Sequence, residues 1–303
     1  MATLILVYWV VYFVNSATHY ENISLGVEFN THATPVWVAL HTDLFKKYGL
    51  NITMLFKFRT GADLAAAIAR GEVDAGWACL GPILNLIDKG VNVKIIGKIH
   101  NYGYALVVNP DKVSSISDLS NVTVYSTGLQ NPTNLLLIKI QDLYGVRFNV
   151  KPVGDPNTIL SMLISGKIDA ASLPEHYASV AEARGMKVLL RAQDVWFRMP
   201  GSYLIVRDEL LKNRPEVVRK LIEITREALK IVKSNESLAV QASVAELGID
   251  NEVALKSFNE LEWVDEITEI NVSEIQEYID FMYTHGLLQN KLNATEIIVK
   301  SVG

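Results

Sequence analysis

Two stretches, AAAIARGEVDAGWA (residues 65–78) and LSMLISGKIDAASL (residues 160–173), share one pattern about 95 positions apart. Each reads as a helix that ends at a glycine, Gly71 in the first copy and Gly166 in the second, followed by a short apolar segment. Glycine readily adopts the left-handed conformation that ends many helices, and a short apolar segment after it is typical of a buried strand. The repeat therefore predicts that the chain is built from two similar halves.

The repeat extends upstream in both halves. Pro35 opens a helical pattern that ends at Gly49, and Pro132 opens another that ends at Gly145. Each half thus reads strand, helix, strand, helix, strand, with strands expected at Ser24–Phe29, Asn51–Lys57 and Val73–Trp77, and at Val122–Ser126, Arg147–Val153 and Ile168–Leu173. Strands that alternate with helices indicate a mainly parallel sheet covered on both faces. The fold class is therefore α/β, with two doubly wound lobes.

The remaining segments predict how the lobes are joined. An apolar strand at Tyr104–Val108 closes the first half, residues 201–206 form another strand that crosses back, and the chain after Arg207 has helical patterns. We expect lobe I to comprise residues 22–107 and 200–303, with the C-terminal helices on it, and lobe II to comprise residues 108–199. Two connections form a two-strand hinge, and a cleft between hinged lobes can close on a ligand.

Composition excludes several classes of protein. Of 303 residues, 50% are hydrophobic and only 20% are charged, which is not the composition of a disordered chain. A net charge of −5 gives no basic surface for nucleic acid, so no nucleic-acid partner is expected. The single cysteine, Cys79, cannot form an intramolecular disulfide or a thiolate cluster. The HExxH, GxSxG, GxxxxGK[ST] and GxGxxG motifs are absent, so no metal or cofactor is expected. The chain is expected to be a monomer.

The N-terminus suggests export. Residues 4–14 are apolar and uncharged, which is shorter than the ~20 residues of a membrane span, so residues 1–17 are interpreted as a signal peptide or an N-terminal anchor. A buried first strand is the alternative. Six glycosylation sequons agree with export, at Asn22, Asn51, Asn121, Asn235, Asn271 and Asn293. We therefore expect a glycoprotein that is extracellular, either secreted or tethered to the outer face of the cytoplasmic membrane.

The candidate ligand-binding residues follow the strands of both lobes. In open α/β sheets, ligands bind beyond the carboxyl ends of the strands, where helix N-termini present free N–H groups. Thr34 is expected to cap the helix that follows the first strand. Hydroxyl groups and helix N-termini would hold an anionic end of a solute, and tryptophans would bound an apolar or planar part. The expected lining residues are Thr34, Trp37, Thr60, Trp77, Cys79, Leu80, Ser126, Thr127, Gln130, Glu175 and Trp196.

Each candidate also has a structural interpretation. Trp37 and Trp77 could be core aromatic residues, and Cys79 could be a small buried hydrophobic residue. His32 and His176 fall in loops expected to face the cleft, but surface placement is the simpler explanation for each of them. With Glu175 they could also serve as acid–base groups of an enzyme.

Several segments resemble one family of transport proteins. TPVWVALHTDLFKKYGLNITM, RGEVDAGWACLGP, ISDLSNVTVYSTG and RDELLKNRPEVVRKLI are similar to segments of the solute-binding proteins of nitrate/sulfonate/taurine-type ABC importers. That family also includes receptors and enzymes of thiamine-pyrimidine metabolism. The resemblance covers roughly residues 24–234. It implies a type II periplasmic-binding-protein fold, a receptor that binds a small-molecule solute, and an ABC permease in the membrane as partner.

The sequence thus supports one leading hypothesis and one alternative. The first is an extracytoplasmic solute-binding receptor, not an enzyme, that closes on a small anionic or zwitterionic solute, which is sulfonate-, nitrate- or taurine-like or pyrimidine-like. The alternative is an enzyme on the same scaffold that acts on a small carboxylate or pyrimidine, with Glu175 and His176 as its acid–base groups.

Overall fold

The computed structural model describes residues 20–302, so the expected signal peptide or anchor over residues 1–17 lies outside the described residues. The strands are β1 Glu21–Glu28, β2 Leu50–Phe58, β3 Ala75–Cys79, β4 Val93–Lys98, β5 His100–Tyr102, β6 Tyr104–Val108, β7 Thr123–Ser126, β8 Asn149–Pro152, β9 Ala170–Pro174, β10 Lys187–Arg191, β11 Ser202–Arg207 and β12 Leu261–Trp263.

Helices separate most of these strands. In the first 200 residues they are α1 Thr34–His41, α2 Leu44–Lys47, α3 Gly61–Ala69, α4 Leu80–Asp88, α5 Pro132–Tyr144, α6 Pro156–Ile164, α7 Glu175–Ala183 and α8 Ala192–Val195. The C-terminal helices are α9 Asp208–Asn213, α10 Pro215–Ser234, α11 Glu236–Leu247, α12 Asn251–Asn259, α13 Val272–Thr284 and α14 Ala294–Ile297. Two short 3-10 helices span Thr31–Ala33 and Ile116–Asn121.

The two lobes contain sheets of the same topology. The order of strands in lobe I is β2-β1-β3-β11-β4, and in lobe II it is β8-β7-β9-β6-β10. In each sheet the first three strands are parallel and the fourth runs antiparallel to both of its neighbours. The α/β class and the two-lobed architecture are confirmed.

The glycines of the repeat have the conformation that the pattern predicts. Gly71 has φ 75° and Gly166 has φ 70°, and in both lobes this left-handed residue separates a helix from the next strand. A residue with a Cβ atom would be strained at either position. The Asp74 carboxylate accepts the backbone N–H of Ser24 at 3.0 Å, which holds the start of β3 against β1.

Three expectations about secondary structure differ from the structure. The strand Tyr104–Val108, expected to close lobe I, lies in the lobe II sheet between β9 and β10. The pattern from Pro35 to Tyr48 forms two helices instead of one, because Asp43 has φ 53° and ends the first of them. The sequence did not predict β5 and β12, which pair with each other in a two-stranded sheet, nor β4 and β10, which are the fifth strands of their sheets. Strands β4 and β10 are edge strands, where pairing on one side suffices.

The C-terminal helices serve both lobes. α10 and α11 pack against α1 of lobe I, as expected, and they bury Trp37, Val217 and Leu221 in one core cluster. α12 instead packs against α7 of lobe II. A second core cluster runs through both lobes by way of Trp196 and Tyr278, at the junction of the lobes. None of the helices within residues 20–302 combines the length and the apolarity needed to cross a membrane.

Candidate ligand-binding cleft

A small cavity lies between the lobes, beyond the carboxyl ends of strands β1, β3, β7 and β9. Its volume is about 20 Å³, enough for about one water molecule. Lobe I contributes Glu28, Asn30, Arg59, Thr60, Gly61 and Cys79, and lobe II contributes Tyr104, Thr127, Asn131, Pro132, Pro156 and Pro174. The site therefore lies where the doubly wound topology predicts it, and the lobes are almost closed over it.

Glu28 is the buried acidic group of this cavity. Its side chain is the last of β1, and the residue is only 7% exposed. Oε1 accepts the backbone N–H of Cys79 at 2.6 Å, whereas Oε2 has one long contact, 3.4 Å from Asn30 Nδ2. Burial raises the pKa of Glu28, and the bonds from Cys79 and Asn30 oppose that rise. Within residues 20–302, no lysine or arginine forms an ion pair with this carboxylate.

Protein carboxylates already occupy several helix N-termini around the cavity. Glu28 bonds to the residue that caps α4, and Asp155 caps α6 by accepting the N–H of Asn157 at 3.3 Å. Asp63 lies in the first turn of α3, where the Thr60 hydroxyl donates to it at 2.7 Å. The positive ends of these helices are thus partly neutralised by the protein itself.

Four of the residues expected from sequence lie at the cleft between the lobes. Thr60, Cys79 and Thr127 line the cavity, and Gln130 lines an open groove beside it. Cys79 is buried, and desolvation raises the pKa of its thiol well above the ordinary value, so the thiol stays protonated. Ser126 is fully buried next to Thr127, and its hydroxyl has no hydrogen-bond partner among the described residues.

The structure places the other expected lining residues away from the cavity wall. Trp37 and Trp77 pack in the lobe I core on the side of α1 and α10, and Leu80 packs in the core that runs through both lobes. Trp196 packs against the rings of Tyr278 and Phe281 at the junction of the lobes. Thr34 does not cap α1 but is its first residue, and its hydroxyl bonds to Thr31 O and to Ser243 Oγ.

Glu175 and His176 begin α7 beside the first crossing between the lobes, where the Glu175 N–H donates to Gly103 O at 2.8 Å. The Glu175 carboxylate is 3.1 Å from Arg191 Nη2, and burial raises its pKa to about 7 against the opposing effect of Arg191. Burial lowers the pKa of His176 to about 3, and that of His32 to about 4. Neither Glu175 nor His176 lines the cavity.

Sequence reasoning missed Glu28, Arg59 and Asn131 as individual site residues. Glu28 carries a detectable signal, because a charge inside a run of apolar residues in a strand is costly to bury. Arg59 and Asn131 carry none, since both stand in polar loops of ordinary composition. Asn131 donates from Nδ2 to Thr127 O at 2.6 Å, and its Oδ1 is buried without a partner among the described residues.

Direct contacts hold the two lobes together in this closed arrangement. His32 of lobe I donates from Nε2 to the carbonyl of Gly103, at the first crossing, at 2.9 Å. Across the cleft, the first turn of α4 meets the loop before α5: a Cβ added at Gly81 would lie 1.9 Å from Gln130 O. The lobes therefore approach at Gly81 as closely as a glycine permits.

One ion pair also bridges the mouth of the cavity. Arg59 Nη1 lies 3.4 Å from Asp155 Oδ2 on the other lobe. The Arg59 side chain is 66% exposed, so solvent screens the pair and we expect it to contribute less than ~1 kcal/mol to closure. Asp155→Asn, which keeps an oxygen to cap α6, should weaken solute binding no more than about fivefold. The wild type should lose the same factor at about 1 M salt; a salt-independent loss would contradict this assignment.

The groove beside the cavity offers more room than the cavity itself. It has a volume of about 350 Å³ and lies between α3 and α4 of lobe I and the loop of residues 128–131 of lobe II. Its lobe I wall is mostly small and apolar, with Ala62, Ala66 and Ala69. Asn131 borders both spaces. No cluster of metal-ligating side chains was found among residues 20–302.

Comparisons with known proteins agree with this geometry. The chain is 24% identical over 232 residues to a Brucella abortus protein provisionally named a binding protein. The aligned residues make up 70% of this chain and 67% of the relative. The ligand-binding component of an ABC-type import system from Staphylococcus aureus superposes with TM-score 0.81 at 19% identity, over 92% of this chain and 96% of that one. The alkanesulfonate-binding protein SsuA from Xanthomonas axonopodis pv. citri, bound to MOPS, superposes with TM-score 0.80 at 14% identity, over 92% and 98%.

These structural neighbours confirm the periplasmic-binding-protein fold that the sequence predicts. The model of the family described as NMT1/THI5 like matches residues 30–237, more than half of the chain. This match includes Asn30, both glycines of the repeat and Asn131 at the cleft. The chain is therefore a member of the NMT1/THI5-like family.

Proposed function

We propose that this protein is the extracytoplasmic solute-binding receptor of an ABC importer. The observation that carries the proposal is the cavity enclosed by both lobes, because two crossings between the lobes leave them free to open and close on a solute. The free energy of solute binding then includes the free energy of closing the lobes, because a ligand shifts the equilibrium towards the closed form only by binding that form better than the open one. The ABC-import and alkanesulfonate-binding functions of the structural neighbours support this assignment.

Location and partner follow from the same role. The receptor would deliver its solute to a permease in the membrane and act as a monomer outside the cytoplasm. The asparagines of all six sequons are exposed, so each is accessible to a glycosylating enzyme. Asn22 and Asn51 are paired on adjacent strands, with Asn51 Nδ2 donating to Asn22 Oδ1 at 2.7 Å. We expect at most one of those two to carry a glycan in a given molecule.

The geometry favours the receptor over an enzyme. The acid–base pair considered from sequence, Glu175 and His176, does not line the cavity, and the Glu175 carboxylate is bound to Arg191. Cys79 keeps its proton, so the cavity presents no activated nucleophile of that kind. What the cavity does present is a set of fixed hydrogen-bonding groups, which suits binding without chemistry.

Thermal unfolding with a panel of solutes tests the proposal. The panel contains alkanesulfonates, taurine, nitrate, pyrimidines and small carboxylates. A ligand at 100 times its Kd should add about 2.7 kcal/mol to the free energy of unfolding, and X-ray scattering should show compaction. The ligand should be recovered unchanged. Conversion of the ligand to a product would instead support the enzyme, and a panel that neither stabilises nor compacts the protein would overturn the receptor assignment.

A further inference from the structure

The charges around the cavity point to a feature of the solute. Glu28 is the group that the cavity keeps desolvated, and its Oε2 has only the long contact to Asn30. Asn131 adds a buried carbonyl oxygen, Oδ1, without a partner among the described residues. Both of these atoms accept hydrogen bonds, and they come from opposite lobes. A solute that lies between them and bonds to both must therefore donate.

The alternative, an anion at this position, is disfavoured by the same residues. An anion next to the Glu28 carboxylate would be repelled at short range in a dry site, where charges interact strongly. The N-termini of α4 and α6, which an anion would use, already interact with Glu28 and Asp155. The basic side chain of the cavity wall, Arg59, pairs with Asp155 at the mouth.

Glu28 also has a structural role, and that role does not account for both of its oxygens. Oε1 bonds to the N–H of Cys79 and so joins the end of β1 to the start of α4. A glutamine would keep this bond, since its amide oxygen accepts equally well. Oε2 gains only the long bond from Asn30, and a buried carboxylate without a cationic partner is costly even though the Cys79 N–H and thiol bond to the carboxylate. Carboxylates whose pKa values are perturbed and that lie in clefts are concentrated at functional sites.

We propose that the solute carries a positively charged N–H group, an ammonium or an amidinium, that binds between Glu28 and Asn131 when the lobes close. This inference rests on the proposed receptor function and narrows its solute class. The sequence leaves anionic and zwitterionic solutes open. The proposed cation site favours zwitterions that bind with their cationic end in the cavity, and it also admits simple cations. The closed cavity has room for about one small group such as an ammonium, and the groove that also borders Asn131 can take a larger head group or the rest of the molecule.

Proton release gives the proposal a second observable. Burial raises the pKa of Glu28 in the empty cavity, and a bound cation would lower it by favouring the ionised carboxylate, so binding releases a proton at pH values where this carboxylate titrates. The other groups around Glu28 do not titrate near neutral pH: the pKa values of Cys79, Tyr104 and Tyr278 are raised well above their ordinary range. Cation affinity should therefore fall as the pH falls.

Calorimetric titration of the wild type and of Glu28→Gln tests the proposal. The probes are methylguanidinium, acetamidinium and taurine, with tetramethylammonium as a cation without N–H groups, and ethanesulfonate and nitrate as anions. We expect at least one N–H cation or taurine to bind and compact the wild type, and Glu28→Gln to weaken that binding at least tenfold. Glu246→Gln, a half-buried glutamate on the outer surface that pairs with His41 and Lys57, is the matched control and should bind as the wild type does.

Titrations of the wild type in buffers of different ionisation enthalpy measure the released proton and need no folded variant. Cation affinity that stays the same at every pH at which the protein is folded, or that is unchanged in Glu28→Gln, would overturn the proposal. Binding of ethanesulfonate or nitrate but of none of the N–H probes would also overturn it, and would leave the receptor function intact. If none of the probes binds, the cationic head group is wrong, and the wider solute panel decides on the receptor.

Discussion

Replacing Gly81 by alanine should weaken solute binding at least tenfold, or about 1.4 kcal/mol, while leaving each lobe folded. The added Cβ would lie 1.9 Å from the carbonyl oxygen of Gln130 on the opposite lobe. A backbone atom cannot rotate away as a flexible side chain does, so the loop before α5 or the whole lobe must move. Overpacking of this kind costs ~1–3 kcal/mol where atoms are already in contact.

The cost should fall on the closed form alone. Gly81 lies in the first turn of α4 and its φ is not positive, so alanine suits the helix itself and is the better helix former. Within lobe I and the C-terminal helices, the nearest atom is the Tyr278 hydroxyl at 3.4 Å, an ordinary contact. With the lobes apart, Gln130 is no longer near. The substitution should therefore shift the equilibrium towards the open form.

Calorimetry and X-ray scattering together check this prediction. The variant should bind weakly and should show a larger radius of gyration than the wild type at the same subsaturating ligand concentration. Gly248→Ala is the matched control: Gly248 ends α11 with φ 65°, no neighbour lies within 4 Å of the added Cβ, and the strain should cost about 1–2 kcal/mol of stability without changing affinity. An alanine at position 81 that binds and compacts as the wild type does would show that the lobes close in another way.

Acidification should destabilise the protein between pH 6.5 and about 4, because buried histidines at the junction of the lobes resist protonation. Burial lowers the pKa of His32 to about 4 and that of His176 to about 3, and it lowers the pKa of His100 well below the ordinary value. In the unfolded chain all three titrate near 6.5. Below that pH the unfolded state binds protons that the folded state does not, so the free energy of unfolding falls.

The expected loss is large. Each such histidine contributes at most about 1.4 kcal/mol per pH unit, so His32 and His176 together could remove several kcal/mol by pH 4. Glu175 acts in the opposite direction: its pKa, raised to about 7, lets the folded state take up a proton between pH 7 and 4.5, which offsets about one histidine. Charges on His32 and His100, whose ring centroids are 4.7 Å apart, would repel each other and loosen the junction.

Denaturant unfolding at a series of pH values measures this loss. His176→Gln should make the decline in stability shallower, and Glu175→Gln should make it steeper because the opposing group is gone. A stability that stays constant from pH 7 to 4 would show that the histidines gain their protons without opening the structure.

Local signals in the sequence were sufficient for the architecture. The repeat of helix, glycine and strand predicts both lobes because a left-handed glycine and a change of hydrophobic period depend only on neighbouring residues. Gly71 and Gly166 have this conformation in the structure, and the cavity lies at the strand ends that the topology selects. Thr60, Cys79 and Thr127 reach that cavity because each stands directly after a strand or at the start of a helix.

The individual side chains of the site depended on tertiary structure. Trp77 and Cys79 are two positions apart in β3 and lie on the same face of the strand, so periodicity does not distinguish them; only their distance from the carboxyl end of the strand, where the cleft lies, does. Cys79 lines the cavity, whereas Trp77 packs against Phe45 in the core. The sheet to which Tyr104–Val108 belongs was likewise undetermined, because an apolar strand at a crossing can pair on either side.

What the sequence alone determined is the two-lobed α/β chain with its cleft at the carboxyl ends of the strands. What only the tertiary structure decided is the chemistry of that cleft: the carboxylate of Glu28 buried at its base, and the contact of Gly81 with Gln130 that sets how far it closes. The physical reason is distance along the chain. Conformational preferences act between neighbours, whereas charge burial and the approach of two lobes depend on residues about 50 positions apart that meet only when the sheets form.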